Sequence, residues 1–158
     1  MATTEWKKEL KRLKLDDIKS KSPDFFERSG GYKMKVNPYK DNSANALTRC
    51  IVDYLTFNGC YANRINSMGV ARIEKIKLAF GRTIEKVRYT SSATNLGTGD
   101  IHAIINGRHA TIEVKYGRDT QSDKQKDEQG RIEKAGGLYF IAKDMQSFIN
   151  WYYNILNN

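Results

Sequence analysis

The stretch GDIHAIINGRHATIEVKYG, residues 99 to 117, sets the reading of the fold. Asn106-Gly107 divides it into two segments of alternating polarity, and this dipeptide suits a type I′ hairpin because both central residues need positive φ. Counting outward from the turn pairs Ile105 with Arg108, Ala103 with Ala110 and Ile101 with Ile112. One face then carries Ile101, Ala103, Ile105, Ala110, Ile112 and Val114, as a side turned to a core should. On the other face Asp100 stands opposite Glu113, with Cβ atoms expected about 4.5–5.5 Å apart. Lys115 follows on that face, about 6.6 Å further along the strand.

Two opposed carboxylates repel, and bringing them together costs stability unless something compensates. A divalent cation removes the objection, and hard oxygen ligands suit Mg²⁺ or Mn²⁺, which keep waters and substrate phosphate in their shell. Such an ion polarises a phosphate and activates water, while a nearby ammonium such as Lys115 offsets charge growing in a transition state. The plain alternative is a solvated polar face of an antiparallel sheet, because an E-x-K tripeptide is a weak motif by itself. His102 and His109 share the face of Asp100 and are read as hydrogen-bonded structural residues.

The flanks supply the rest of the domain. Ser122 and Gln125 form a capping box that opens a helix, which Gly136-Gly137 closes. Gln125, Gln129 and Ile132 fall on one face of it, so amides stand where a helix covering only core would carry apolar groups. LYFIA, residues 138 to 142, is an apolar run suited to a strand buried on both faces. The final segment spaces Met145, Phe148, Tyr152 and Ile155 as a helix, with Trp151 and its neighbouring tyrosines read as packing residues. Upstream, Ser43 is the expected N-cap of a core helix carrying Leu47, Ile51, Tyr54 and Leu55 and ending at Gly59. Residues 60 to 66 suit a first strand, and 67 to 98 resist assignment. The order helix, three strands, helix, strand, helix gives an α/β domain on a small mixed sheet.

Residues 5 to 18 space Trp6, Leu10 and Leu13 as a short basic amphipathic helix, read as a docked surface helix in preference to a dedicated DNA arm. Residues 20 to 42 hold both prolines and a Gly-Gly pair and read as an irregular lead-in. The expected division is thus a basic extension and linker over 1 to 42 and the main domain over 43 to 158.

The 158 residues give room for one ordinary domain, and 39% hydrophobic and 11% aromatic residues exclude a disordered chain. Cys50 and Cys60 lack the neighbours a zinc site needs and are expected as reduced thiols. The formal charge of +9 favours a polyanionic partner, and residues 1 to 40 are the more basic part, with 11 Lys and Arg against 6 Asp and Glu.

Gly99-Asp100, then Ile112-Glu113-Val114-Lys115, then Ser122 with Gln125, then a Gly-Gly turn before an apolar strand, resembles the virus-type replication and repair nuclease domain, VRR-NUC, of the PD-(D/E)XK superfamily. The likeness covers about residues 43 to 148. It implies a restriction-endonuclease-like core in which Asp100, Glu113 and the Val114 carbonyl bind Mg²⁺ or Mn²⁺, Lys115 assists catalysis and Gln125 supports the site. It also implies a homodimer cutting branched DNA such as Holliday junctions, in the cytoplasm of a bacterial or phage-infected cell. Two positions depart from the family: Gly99 stands where Pro is common, and no carboxylate occupies 43 to 45, leaving Asn45, Asp41 or Asp53 to replace the family's helix Glu. The competing expectation is a DNA-binding module that keeps the fold with weak or lost catalysis. An oligomeric scaffold fits the convergent Asp, Glu and Lys poorly.

Overall fold

The computed structural model describes residues 5–65, 70–77, 81, 83–90 and 98–157. Its centre is a four-stranded mixed sheet in the order β1-β4-β5-β6, built from β1 (Tyr61–Arg64), β4 (Ile101–Ile105), β5 (Arg108–Val114) and β6 (Leu138–Ala142). β4 and β5 pair in the register expected from the turn, Ile101 with Ile112 through Ile105 with Arg108. Asn106 and Gly107 take φ of 49° and 75°, as a type I′ turn requires. β1 adds antiparallel to β4, and β6 adds parallel to β5. A parallel neighbour needs a crossover, and α4 (Asp123–Lys134) supplies it.

The core lies on the face of the hairpin's isoleucines. Ile101, Ile105, Ala110 and Ile112 have no exposure, and α3 (Ala44–Phe57) covers them with Leu47, Cys50, Ile51, Tyr54 and Leu55. Each large apolar side chain buried there contributes about 1.5–3 kcal/mol relative to leaving it exposed. α5 (Met145–Leu156) completes the layer through Met145, Phe148 and Tyr152. Its N-cap Asp144 accepts from the Ser147 N–H at 2.7 Å, and Ser43 caps α3 by accepting from the Ala46 N–H.

Three expectations are corrected or refined. The lead-in over 20 to 42 contains α2 (Pro23–Arg28), because Pro23 is preorganised for a first helical turn and Phe26 buries against what precedes it, and a 3-10 turn at Gly31–Lys33. α1 (Glu5–Lys21) is longer than the apolar spacing suggested and inserts Trp6 and Leu10 into the common core, 2% and 0% exposed. Glu9 on α1 accepts from the Tyr54 and Tyr153 hydroxyls at 3.1 and 3.3 Å, and Tyr39 donates to Asp53 at 2.7 Å. The residues expected as an extension therefore pack as part of the same domain. β6 is an edge strand, with Tyr139 and Ala142 buried on opposite faces and Leu138, Phe140 and Ile141 partly buried. Its apolar run packs against α4 and α5, and among the described residues β5 is its one strand partner.

The segment that resisted assignment contains β2 (Val70–Lys77) and β3 (Thr83–Thr90), an antiparallel pair that forms a two-stranded sheet of its own. Apart from this ribbon, the order from α3 onward is the expected helix, three strands, helix, strand, helix. Among the described residues no helix is long and apolar enough to cross a membrane.

Candidate active site

The polar face of the hairpin is covered at its Glu113 end, whereas Ile104 and His109, nearer the turn, are exposed. Glu113 is 3% exposed and Lys115 7%, and Gln125 on α4 reaches Glu113 from above the strand end. The Lys115 ammonium sits 3.0 Å from Glu113 Oε1, and the Lys115 N–H donates to the Ala142 carbonyl at 2.9 Å, which fixes the strand end that carries it. Asp119, in the loop after β5, comes within 3.5 Å of the same ammonium from a largely exposed position. Burial pulls the Lys115 pKa down, but its hydrogen bond and charge attraction to Glu113, with Asp119, outweigh that and leave it above the usual lysine value.

Gln125 performs two tasks at once. Its Oε1 accepts from the Ser122 N–H at 2.9 Å, closing the capping box, while its Nε2 donates to Glu113 Oε1. Both donors, Gln125 and Lys115, thus meet on one oxygen of Glu113. The other, Oε2, is buried with no hydrogen-bond partner. Burial, then the charge of Asp100, push the Glu113 pKa up against the opposing pull of Lys115 and Gln125. That influence of Asp100 is the electrostatic counterpart of the expected convergence.

Asp100 stands just before β4. Its Oδ2 accepts from the Val114 N–H at 2.9 Å, and its own carbonyl accepts from the Ile65 N–H at 2.8 Å. The carboxylate is therefore anchored on the strand that carries Glu113. Gly99 makes this approach possible, since a Cβ there would collide with the Thr111 methyl and lie 3.3 Å from the Ile112 carbonyl oxygen. A glycine at that position answers a steric demand.

The structure adds two residues that the apolar reading of strands hid. Among the described residues Thr111 Oγ1 and Glu113 Oε2 are buried without a hydrogen-bond partner, and they share this face with the Tyr139 hydroxyl, which Gln121 approaches. Thr111 and Tyr139 are direct partners across β5 and β6, and Thr111 precedes Glu113 by two residues. Buried polar atoms are nearly always satisfied, so Thr111 Oγ1 and Glu113 Oε2 keep hydrogen-bonding capacity open to water, an ion or a ligand. The only sequence signal was the alternation that put Thr111 on the face of Glu113. Tyr139 had none, because its hydroxyl lies inside an apolar run.

Beside Asp100, His102 and His109 meet edge to face at 5.2 Å between ring centres and line a hollow of about 240 Å³ with Asn63 and Ile65. Burial, then the neighbouring His109, lower the His102 pKa. The residues weighed as replacements for a helix carboxylate are engaged elsewhere. Asn45 accepts from Arg64 at 2.6 Å, Asp53 is taken by Tyr39, and Asp41 accepts weakly from the Met145 N–H. No group of three or more His, Cys, Asp or Glu side chains able to hold a metal occurs among the described residues, so Asp100 and Glu113 stand as a pair.

Compared with models of known families, the chain matches none. It likewise matches none of the curated proteins with which it was compared.

Proposed function

We propose that this chain is a divalent-metal-dependent DNA endonuclease with a restriction-endonuclease-like core of the VRR-NUC kind. The observation that carries the reading is the Glu113 carboxylate: nearly buried, gripped on one oxygen by Gln125 and Lys115, unpartnered on the other, and raised in proton affinity by burial and by Asp100. A group in that state suits a hard cation better than it suits water or a second carboxylate.

Asp100, Glu113 and the Val114 carbonyl would hold Mg²⁺ or Mn²⁺, an ion that takes one or two carboxylates and completes its shell with waters and phosphate. The ion would supply Lewis acidity toward the scissile phosphate and toward attacking water. The chain's own residues do the rest. Gln125 fixes the Glu113 carboxylate from α4, so that its free oxygen keeps one direction. The Val114 N–H holds Asp100 beside it. Lys115 stays protonated through neutral pH, given its raised pKa, and offers positive charge where the phosphoryl oxygens gain negative charge. The surplus of +9 draws the polyanion to the protein. One such site per protomer makes a homodimer the natural agent for paired cuts in a four-way junction.

A second reading, a DNA-binding module with weak cleavage, is favoured by one observation. The start of α3 offers Asn45, already held by Arg64, where a further carboxylate ligand would serve.

A panel of linear, single-stranded, flap and four-way-junction DNA, with and without Mg²⁺ or Mn²⁺, tests the proposal. The wild-type protein should nick only with metal. Asp100→Asn and Glu113→Gln should lose metal affinity and cleavage together, and Lys115→Ala should lose about 100-fold or more in rate with metal binding kept. Binding to DNA in Ca²⁺ should survive in all three. Cleavage at the wild-type rate in these variants refutes the site, whereas tight binding without cleavage in the wild type supports the second reading.

A further inference from the structure

The β2–β3 ribbon lies between β1 and β4 in sequence, so the chain enters it after Ile65 and leaves it before Asp100. On one side the chain leaves from Ile65, whose N–H donates to the Asp100 carbonyl. Even at full extension Val70 lies within about 18 Å of Ile65. On the other side the chain runs from β3 to Asp100 itself. Within the described residues β2 and β3 have only each other as strand partners.

Its surface is unusual on two counts. Ile73, Val87, Ile84 and Ile76 are 64%, 54%, 45% and 37% exposed. The register sets Ile73 against Val87 and Ile76 against Ile84, and the odd spacing puts these two pairs on opposite faces. The two strands also carry Arg72, Lys75, Lys77, Lys86 and Arg88 against only Glu74 and Glu85, a net +3. The surplus is carried by both strands, two cations more than anions on β2 and one more on β3. Packing ribbon against ribbon in a second copy would oppose the same surplus charges. A polyanion answers both the charge and its placement.

A two-stranded antiparallel ribbon fits the major groove of B-form DNA, about 12 Å wide. Eight residues per strand give a reach of about 26 Å, most of the roughly 34 Å helical repeat. The apolar pairs would meet thymine methyl groups there. We propose that the ribbon, inserted in the chain between Ile65 and Asp100, is an arm that enters the major groove of double-stranded DNA and holds it at the site; the identity of that site rests on the nuclease reading above.

The test is DNA binding in Ca²⁺, which holds back cleavage, followed by fluorescence anisotropy on a labelled duplex of about three helical turns. Replacing Arg72, Lys75, Lys77, Lys86 and Arg88 together with Gln should weaken binding about tenfold or more at low salt. The slope of log affinity against log salt should fall by about 0.9 for each phosphate that the variant no longer neutralises, about 2 or more in all. Glu74→Gln with Glu85→Gln should act oppositely, tightening binding and steepening the slope, so a folding defect in the first variant leaves the idea testable. Duplex RNA of equal length should compete poorly, because side chains cannot enter its deep, narrow major groove. Unchanged affinity and slope in both variants overturns the proposal, as does equal competition by duplex RNA. Loss of self-association with DNA binding intact also overturns it, and assigns the ribbon to a second copy of the chain. Cleavage by Asp100→Asn is scored separately: its persistence sinks the nuclease reading alone, and normal binding by the ribbon variants sinks the arm alone.

Discussion

Replacing Gln125 with Glu separates the two tasks of that side chain. A capping box accepts Glu as readily as Gln, so the bond from the Ser122 N–H survives and α4 should start as before. What disappears is the donation from Nε2 to Glu113, replaced by a second carboxylate at hydrogen-bonding distance. Losing a hydrogen bond to a charged group costs about 1.5–3 kcal/mol. For a chain of this size that lowers the melting temperature by about 3–12 °C, at 2–4 °C per kcal/mol. The sign of the pH dependence follows from Glu113, whose pKa is already raised in the folded protein. Stability from such a group is full below the ordinary glutamate value and is lost as pH rises through the folded value. A second carboxylate pushes that folded value higher, since the pair shares one proton. The deficit should therefore be largest at neutral pH and shrink on acidification. Thermal melts of the metal-free protein across this range measure it. Ser122→Ala, which removes the cap alone, should cost about 1 kcal/mol with no such pH signature. Wild-type melting of Gln125→Glu at neutral pH, with an unchanged pH profile, would refute the bond between Gln125 and Glu113.

Two further outcomes test how the site is supported. Leu10→Ala should destabilise the protein by about 2–5 kcal/mol, as a fully buried core leucine does, and a loss under about 1 kcal/mol in chemical denaturation would return α1 to the status of a dispensable surface helix. Gly99→Ala should cost about 1–3 kcal/mol through overpacking against Thr111, read by the same denaturation curves, and an equally stable variant would show that the close approach of Gly99 can relax.

The sequence by itself determined whatever depends on neighbours a few residues apart. The φ values that Asn106 and Gly107 adopt set the turn, the turn set the register, and alternation then assigned every side chain of residues 100 to 115 to a face. Ser43 and Ser122 announced the starts of α3 and α4, because a cap satisfies backbone N–H groups within its own first turn. Asp100 and Glu113 were legible as neighbours for the same local reason.

Only the tertiary structure decided how those side chains are surrounded. That Glu113 is buried with one oxygen gripped and one bare depends on α4, which comes from beyond the hairpin and is placed by its crossover to β6. Tyr139 joined the site through the parallel pairing of β5 with β6, which no local pattern encodes. The helix α1 looked like an appendage because its amphipathic stripe is short, yet Trp6 and Leu10 find partners on α3 and α5 far along the chain. The ribbon of β2 and β3 escaped assignment because Ile73, Ile76, Ile84 and Val87 are exposed rather than turned to a core, so the alternation that reveals a half-buried strand was missing. Periodicity reports burial against one partner layer; where the partner is distant in sequence, or is another molecule, the chain alone carries no period to read.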